Sequence, residues 1–271
     1  MAKRQPEGNQ DPAVQRIRLR YAKRGPMRFT SHRDFARAFE RALLRANVPI
    51  AYSQGFTPHP KVSYASAAPT GVASEAEYLE IALRAVVDPE QLRLALDAAL
   101  SPGLDVLTAV ESPLNGGGSL TDRIDCSSWR IELPDVTTEA ATAAVTLFLD
   151  APEVLVERLT KEGRRTFDAR SAVVRLTVAN PADPSGPAES SLEPAPSGVT
   201  GTPCAILDLV VRVASPTVRP DDVLSGLRVV ADLETPVPPR ATRLAQGRLT
   251  AQDVIVDPLV ADRQAAVIGA S

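Results

Sequence analysis

The two histidines of this chain, His32 and His59, both fall in its first quarter, and Lys61 follows the second by two positions. One imidazole can take a proton near neutral pH and another can return it, with an ammonium group to steady developing charge. That set is chemically sufficient for attack of a ribose 2′-hydroxyl on a phosphodiester, so His32, His59 and Lys61 are the candidate catalytic groups. Ser31, His32 and Asp34 do not read as a catalytic triad, because neighbours on one helical turn cannot line up nucleophile, base and acid. They read as the start of a helix, in which Ser31 caps and Asp34 sits three residues on. Two histidines plus Asp34 would make three metal ligands, but their spacing matches no familiar signature, and no metal site is expected.

The same stretch is strongly basic. Residues 1–64 hold 13 Lys or Arg against 4 Asp or Glu, a net of +9, while the remaining residues are net −12 and the whole chain is −3. Asymmetry of this kind points to an anionic partner. Only 4 of the 30 basic residues are lysines, so arginine richness is a compositional habit, and placement carries the information. Arg33, Arg37, Arg41 and Arg45 recur every four residues and form one ridge along a helix. Like charges at that spacing cost roughly 0.2–0.5 kcal/mol per pair, which a phosphate backbone would offset. Glu40 offers a nearby counter-charge.

Lys23, Arg24 and Arg28 lead into this helix, whose first turn has free N–H groups and a positive dipole end. Downstream, Gln54-Gly-Phe-Thr-Pro-His-Pro-Lys61 is a loop stiffened by two prolines around His59, able to present His59 and Lys61 with little ordering cost. Tyr21, Lys23, Arg28, His32, Arg33, Arg37, Arg41, Gln54, His59 and Lys61 together make the expected nucleic-acid or anion surface. Arg164 and Arg165, at the tip of a hairpin-like turn marked by Gly163, either extend it or blunt a sheet edge.

The elements that must hold these residues follow from periodicity. Gln15–Tyr21 alternates as a strand, Ile17, Leu19 and Tyr21 on one face and Arg16, Arg18 and Arg20 on the other. Ser31–Ala46 is a helix with Phe35, Ala38, Phe39, Ala42, Leu43 and Ala46 as its apolar stripe. Val62–Ala65 and Glu77–Val87 are strands, Pro89–Leu100 is a helix opening at a proline, and Leu104–Val110 is a strand. Residues 112–127, with Asn115-Gly-Gly-Gly118, read as a linker. A second set follows: strands at Ser128–Leu133, Val154–Thr160, Ala172–Val178, Ala205–Val213 and Val237–Leu244, helices at Thr137–Leu149 and Pro220–Val230. Tyr78-Leu-Glu-Ile-Ala-Leu-Arg84 parallels Ile206-Leu-Asp-Leu-Val-Val-Arg212, and each precedes a helix that opens at a proline. The predicted fold class is α+β: two tandem ferredoxin-like (βαββαβ) sandwiches over residues 15–111 and 128–245. Residues 1–14 and 246–271 read as tails and 180–203, rich in proline, as disordered.

Composition is that of a soluble globular chain, 44% hydrophobic and 23% charged, without an apolar run of the ~20 residues a bilayer demands. A cytoplasmic location is expected. Cys126 and Cys204 form no CxxC pair, and the phosphate-loop, dinucleotide, GxSxG and HExxH motifs are missing. No cofactor is expected.

Four segments carry a resemblance: Tyr21-x-Lys23-x-Gly25, Phe29-Thr-Ser-His-Arg-Asp34, Ser53-Gln-Gly-Phe-x-Pro-His-Pro-Lys61 and Gly71-Val-Ala-Ser-Glu-x-Glu-Tyr-Leu-Glu80. With Phe167-Asp-Ala-Arg170 and Thr242-Arg-Leu-Ala-Gln-Gly247, they resemble the radical SAM-linked protein family, a bacterial domain of unknown function. Its members stand alone or follow cobalamin-binding-type radical SAM proteins. The likeness spans roughly residues 15–245, densest in the first 85. It implies association with a radical SAM enzyme and genomic company with ribonuclease E/G and ribosomal protein genes, but it supplies no activity. This chain lacks the CxxxCxxC motif that would hold the radical SAM cluster. The expected function is an RNA-directed (tRNA or rRNA) binding module that presents substrate to a separate radical SAM protein. The alternatives are a metal-independent ribonuclease or RNA-modifying enzyme using His32 and His59, and a protein–protein adaptor.

Overall fold

A computed structural model describes residues 12–54, 57–115, 117–160, 163–179 and 203–269. The first half runs β1 (Gln15–Lys23), a 3-10 turn (Gly25–Phe29), α1 (His32–Arg45), β2 (Val62–Ala65), β3 (Ala73–Leu83), α2 (Pro89–Ala99) and β4 (Val106–Ser112). Its strands lie in the order β4-β1-β3-β2, every neighbour antiparallel. This is how a βαββαβ chain folds into a ferredoxin-like sandwich.

Alternation in β1 puts Ile17, Leu19 and Tyr21 under α1, where Phe35, Phe39, Ala42 and Leu43 close the core. Tyr21 stacks flat on Phe35 with ring centroids 4.3 Å apart. Each such side chain contributes about 1.5–3 kcal/mol by leaving water. The Ser31 hydroxyl accepts the Asp34 N–H at the start of α1, and the Asp88 carboxylate does the same for Gln91 at the start of α2. These caps fix where both helices begin.

The second half repeats the plan with one addition. It runs β5 (Cys126–Pro134), α3 (Thr138–Asp150), β6 (Leu155–Thr160), β7 (Gly163–Asp168), β8 (Val173–Val178), β9 (Cys204–Arg212), α4 (Pro220–Ala231) and β10 (Arg240–Leu249). The order β10-β5-β9-β8 is again antiparallel throughout, and β3 and β9, the two segments whose sequences run in parallel, hold equivalent places. The added piece is the β6–β7 hairpin, which forms a separate two-stranded sheet. Arg164 and Arg165 therefore lie within β7 and not at a turn tip. The hairpin is held on the second half by an Arg158–Asp222 ion pair of 2.5 Å to the first turn of α4.

The halves share one sheet. The outer edge of β3 is divided: β2 pairs with its residues 78–81, and β10 runs parallel to its start, Thr242 beside Ala73 and Arg243 beside Ser74. The free edge of β4 is capped from α2, where the Asp97 carboxylate accepts the Val106 N–H at 2.7 Å and Arg93 donates to the Val106 carbonyl at 3.1 Å.

Two expectations are corrected on the opposite face of the first half. The stretch read as a linker is packed: Leu120 and Ile124 are buried with Tyr78, Val110 and Leu259. The stretch read as a loose tail continues β10 to Leu249 and then forms β11 (Ile255–Val256) and α5 (Val260–Gly269). β11 lies so close to β10 that a side chain at Gly247 would collide with the Val256 carbonyl. Arg18, in phase with a solvent face by sequence, is consequently buried outright. It donates to Glu80 at 2.7 Å, Asp262 at 3.0 Å and the Gly118 carbonyl at 2.6 Å, and Arg123 grips the same Asp262 at 2.7 Å. Residues 1–11 and 180–202 of the expected tail and proline-rich insertion lie outside the described residues.

The two cysteines differ. Cys126 is fully buried, and burial, helped by Asp125, pushes its thiol up to about 12, whereas Cys204 is exposed. A colorimetric thiol titration at pH 8 should find one fast equivalent in the folded protein and two in denaturant. Two fast equivalents without denaturant would mean that the β5–β10 seam opens readily.

Candidate nucleic-acid interface

α1 carries the ridge that its spacing requires. Arg33, Arg37 and Arg41 are exposed, and Arg45 turns back to donate to the Ala99 carbonyl. Among the described residues no carboxylate pairs with Arg33, Arg37 or Arg41. About half of the described arginines are answered by carboxylates, among them Arg24 with Glu75 at 2.5 Å and Asp105 at 2.8 Å, Arg130 with Asp208 at 3.1 Å, and Arg240 with Glu132 at 2.5 Å. Glu40, the expected counter-charge, lies within range of Tyr64, where its field adds to burial in raising that phenol.

The turn before α1 adds to the surface. Phe29 is 60% exposed, and the Arg28 guanidinium sits over its ring at 4.7 Å. A cation over an exposed aromatic face makes a platform for a base or a backbone. The Ser31 hydroxyl also donates to the Asp34 carboxylate at 2.6 Å, so both residues are spent on the cap. His32 is exposed and meets the Tyr64 ring edge-on at 4.8 Å.

The prolyl loop is pinned at its neck. The Ser53 N–H donates to the His59 carbonyl at 2.8 Å, the His59 N–H to the Ser53 hydroxyl at 3.0 Å, and the Lys61 N–H to the Ala51 carbonyl at 2.8 Å. Gln54, His59 and Lys61 are exposed, while Gly55 and Phe56 lie outside the described residues. Lys61 and His59 lead directly into β2, and Tyr64 of β2 touches His32. The loop and the start of α1 are thus joined by a single side chain. His32 and His59 make no ring contact or hydrogen bond with each other among the described residues. No group of three or more His, Cys, Asp and Glu side chains among those residues could hold a metal ion. No described helix is long and apolar enough to cross a membrane.

Tyr21 and Lys23 lie elsewhere, below the surface and each 4% exposed. Tyr21 belongs to the core, its phenol raised well above the usual value by burial and by Glu77. The Lys23 ammonium donates to the Thr30 carbonyl at 3.3 Å, just beneath the start of α1. Beside it are Glu77 and Arg243, 1 and 4% exposed, both inside the resembling segments but given no place in the expected surface. Arg243 donates to the Glu77 carboxylate and, at 3.3 Å, to the Ser74 hydroxyl. The second Glu77 oxygen accepts the Ala68 N–H at 3.1 Å. Phase could have found Glu77: it falls in register with Leu79, Ile81 and Leu83, the buried face of β3. This cluster ties the two halves together under the basic surface. Arg164 and Arg165 are exposed on the β6–β7 hairpin, Arg164 loosely paired with Glu157 at 3.4 Å.

No curated protein matches the chain. One family model does, across residues 16–220, a span that takes in α1, the pinned loop, Lys23 and Glu77. The chain accordingly belongs to DUF2344, a family described as uncharacterized proteins conserved in bacteria.

Proposed function

We propose that this chain is an RNA-directed binding module whose α1 face tracks a phosphate backbone, and that it presents the bound RNA to a separate radical SAM enzyme. The observation that supports the first part is the ridge itself: Arg33, Arg37 and Arg41 are exposed in succession on one face of α1, and no carboxylate among the described residues pairs with them. Three exposed guanidinium groups about one turn apart suit successive phosphates, each releasing condensed counterions on contact. Phe29 with Arg28, and His59 with Lys61, flank the ridge with an aromatic face and further donors. The radical SAM partner is supported by the sequence resemblance alone.

The test is RNA crosslinking and sequencing on the tagged full-length protein, with Arg33→Glu/Arg37→Glu/Arg41→Glu as control. A defined tRNA or rRNA region should be enriched and lost in the control. With purified protein and that RNA, the triple reversal should weaken binding about a hundredfold near 0.1 M salt. It should also flatten the slope of log K against log salt by about 2, from three lost contacts to a single strand. Unchanged affinity would remove α1 from the interface. Recovery of proteins without RNA would move the reading to an acidic protein partner.

A further inference from the structure

The buried cluster beneath the start of α1 is short of one negative charge. Lys23 and Arg243 bring two cations and Glu77 one carboxylate, all at most 4% exposed. Both Glu77 oxygens are taken, one by Arg243 and one by the Ala68 N–H. The ammonium of Lys23 has the Thr30 carbonyl at 3.3 Å, and no carboxylate among the described residues lies within ion-pairing distance of it. Burial outweighs the pull of Glu77 and holds this amine below the usual lysine range, Arg243 acting in the same direction. The positive end of α1, one residue beyond Thr30, adds to the imbalance. A buried charge without an opposite charge beside it is costly, so the fold carries Lys23 at a loss.

We propose that Lys23 is the floor of a subsite for one phosphate-type oxyanion, reached through the Thr30–His32 turn, with Arg243 supplying the second positive charge behind Glu77. The turn above Lys23 is thin: Thr30 and Ser31 are half-buried and His32 is exposed. An anion seated there meets the ammonium and balances the cluster. The inference rests on the RNA-directed reading only for the source of the phosphate. A terminal phosphate monoester fits a recessed ammonium better than an internal diester, which is flanked by sugars on both sides and carries less charge. Free orthophosphate offers the same chemistry.

The test combines thermal unfolding of the full chain in orthophosphate, against chloride at matched ionic strength, with binding of 12-nucleotide RNAs bearing a 5′-phosphate or a 5′-hydroxyl. The variants are Lys23→Met, Lys23→Gln as a second replacement lacking the charge, and the α1 triple reversal. Wild type should be stabilised by millimolar orthophosphate and should prefer the 5′-phosphate RNA about tenfold, roughly the worth of one charge-assisted contact. Both Lys23 variants should be at least as stable as wild type without phosphate, because an unmatched buried charge is gone, and should lose both responses. A structural lysine behaves in the opposite way. Destabilised Lys23 variants that keep the phosphate response would overturn the proposal, as would a wild type indifferent to orthophosphate and to the terminal group. A Lys23-dependent orthophosphate response alongside an α1 reversal that leaves RNA binding intact would uphold the subsite, while the reading of α1 as the RNA surface would fall.

Discussion

Glu77→Leu should destabilise the chain by about 3–5 kcal/mol, the usual cost of removing one partner from a buried ion pair. The loss is large because of what remains. Arg243 keeps the Ser74 hydroxyl and the nearby Trp129 ring but no carboxylate, and Lys23 loses the one field that favours its charge. Two buried cations would then be left without a carboxylate between them, and the Ala68 N–H would lose its acceptor. In a urea titration the midpoint should fall at nearly constant slope. Replacing both partners, as Glu77→Leu with Arg243→Met, should recover part of the loss, since apolar groups of similar size tolerate burial. A single-variant cost below about 1 kcal/mol would mean that hydrogen bonds along the β3–β10 seam, and not this pair, hold the halves together.

The second large effect is expected at Asp262. Its carboxylate is 2% exposed and gripped by Arg18, itself fully buried, and by Arg123. Asp262→Leu should cost about 3 kcal/mol, at the lower end of the range because Glu80 and the Gly118 carbonyl still hold Arg18. The loss should be local as well as global. α5 is anchored by Asp262 and by Leu259, which is wholly buried, so without the carboxylate trypsin should cut rapidly after Arg263. The rest of the chain should stay resistant at the same enzyme dose. Uniform protection across wild type and variant would show that Leu259 alone suffices to seat the helix.

Elements with a long, clean period were legible in the sequence. α1 was readable because six apolar residues recur on one stripe and Ser31 marks its start, and the Arg33, Arg37 and Arg41 ridge came with it. β3 and β9 were readable as counterparts because their core positions match. What failed to show were contacts that depend on distant segments. Arg18 alternates like a solvent-facing residue, and the packing of residues 117–124 and 257–262 across that face is what makes it buried. β11 and α5 rest on few anchors, Leu259 and Asp262 chief among them, too few to give a periodic signal. The cluster at Lys23 draws on β1, β3 and β10, which are up to 220 positions apart between Lys23 and Arg243. Tyr21 is instructive: it was expected in the binding surface, yet its phase with Ile17 and Leu19 assigns it to the core, and the core is where it lies.

The way the halves join has an implication for assembly. β10, the fourth strand of the second sandwich, runs beside β3 where β2 stops short. The strand equivalent to β10 in the first half is β4, and the one equivalent to β2 in the second is β8. These are the two ends of the nine-stranded sheet. The seam is therefore head-to-tail, and the molecule's two ends repeat in kind the edges that meet within it. A contact of that type is not self-complementary, and repeated between copies it closes into a ring or grows an open filament, according to the rotation at each step. On β4 the places that match Thr242 and Arg243 of the seam are Val110 and Glu111; Val110 is buried there with Leu120, Ile124 and Leu259, so the segment that precedes α5 lies where a further copy would have to dock.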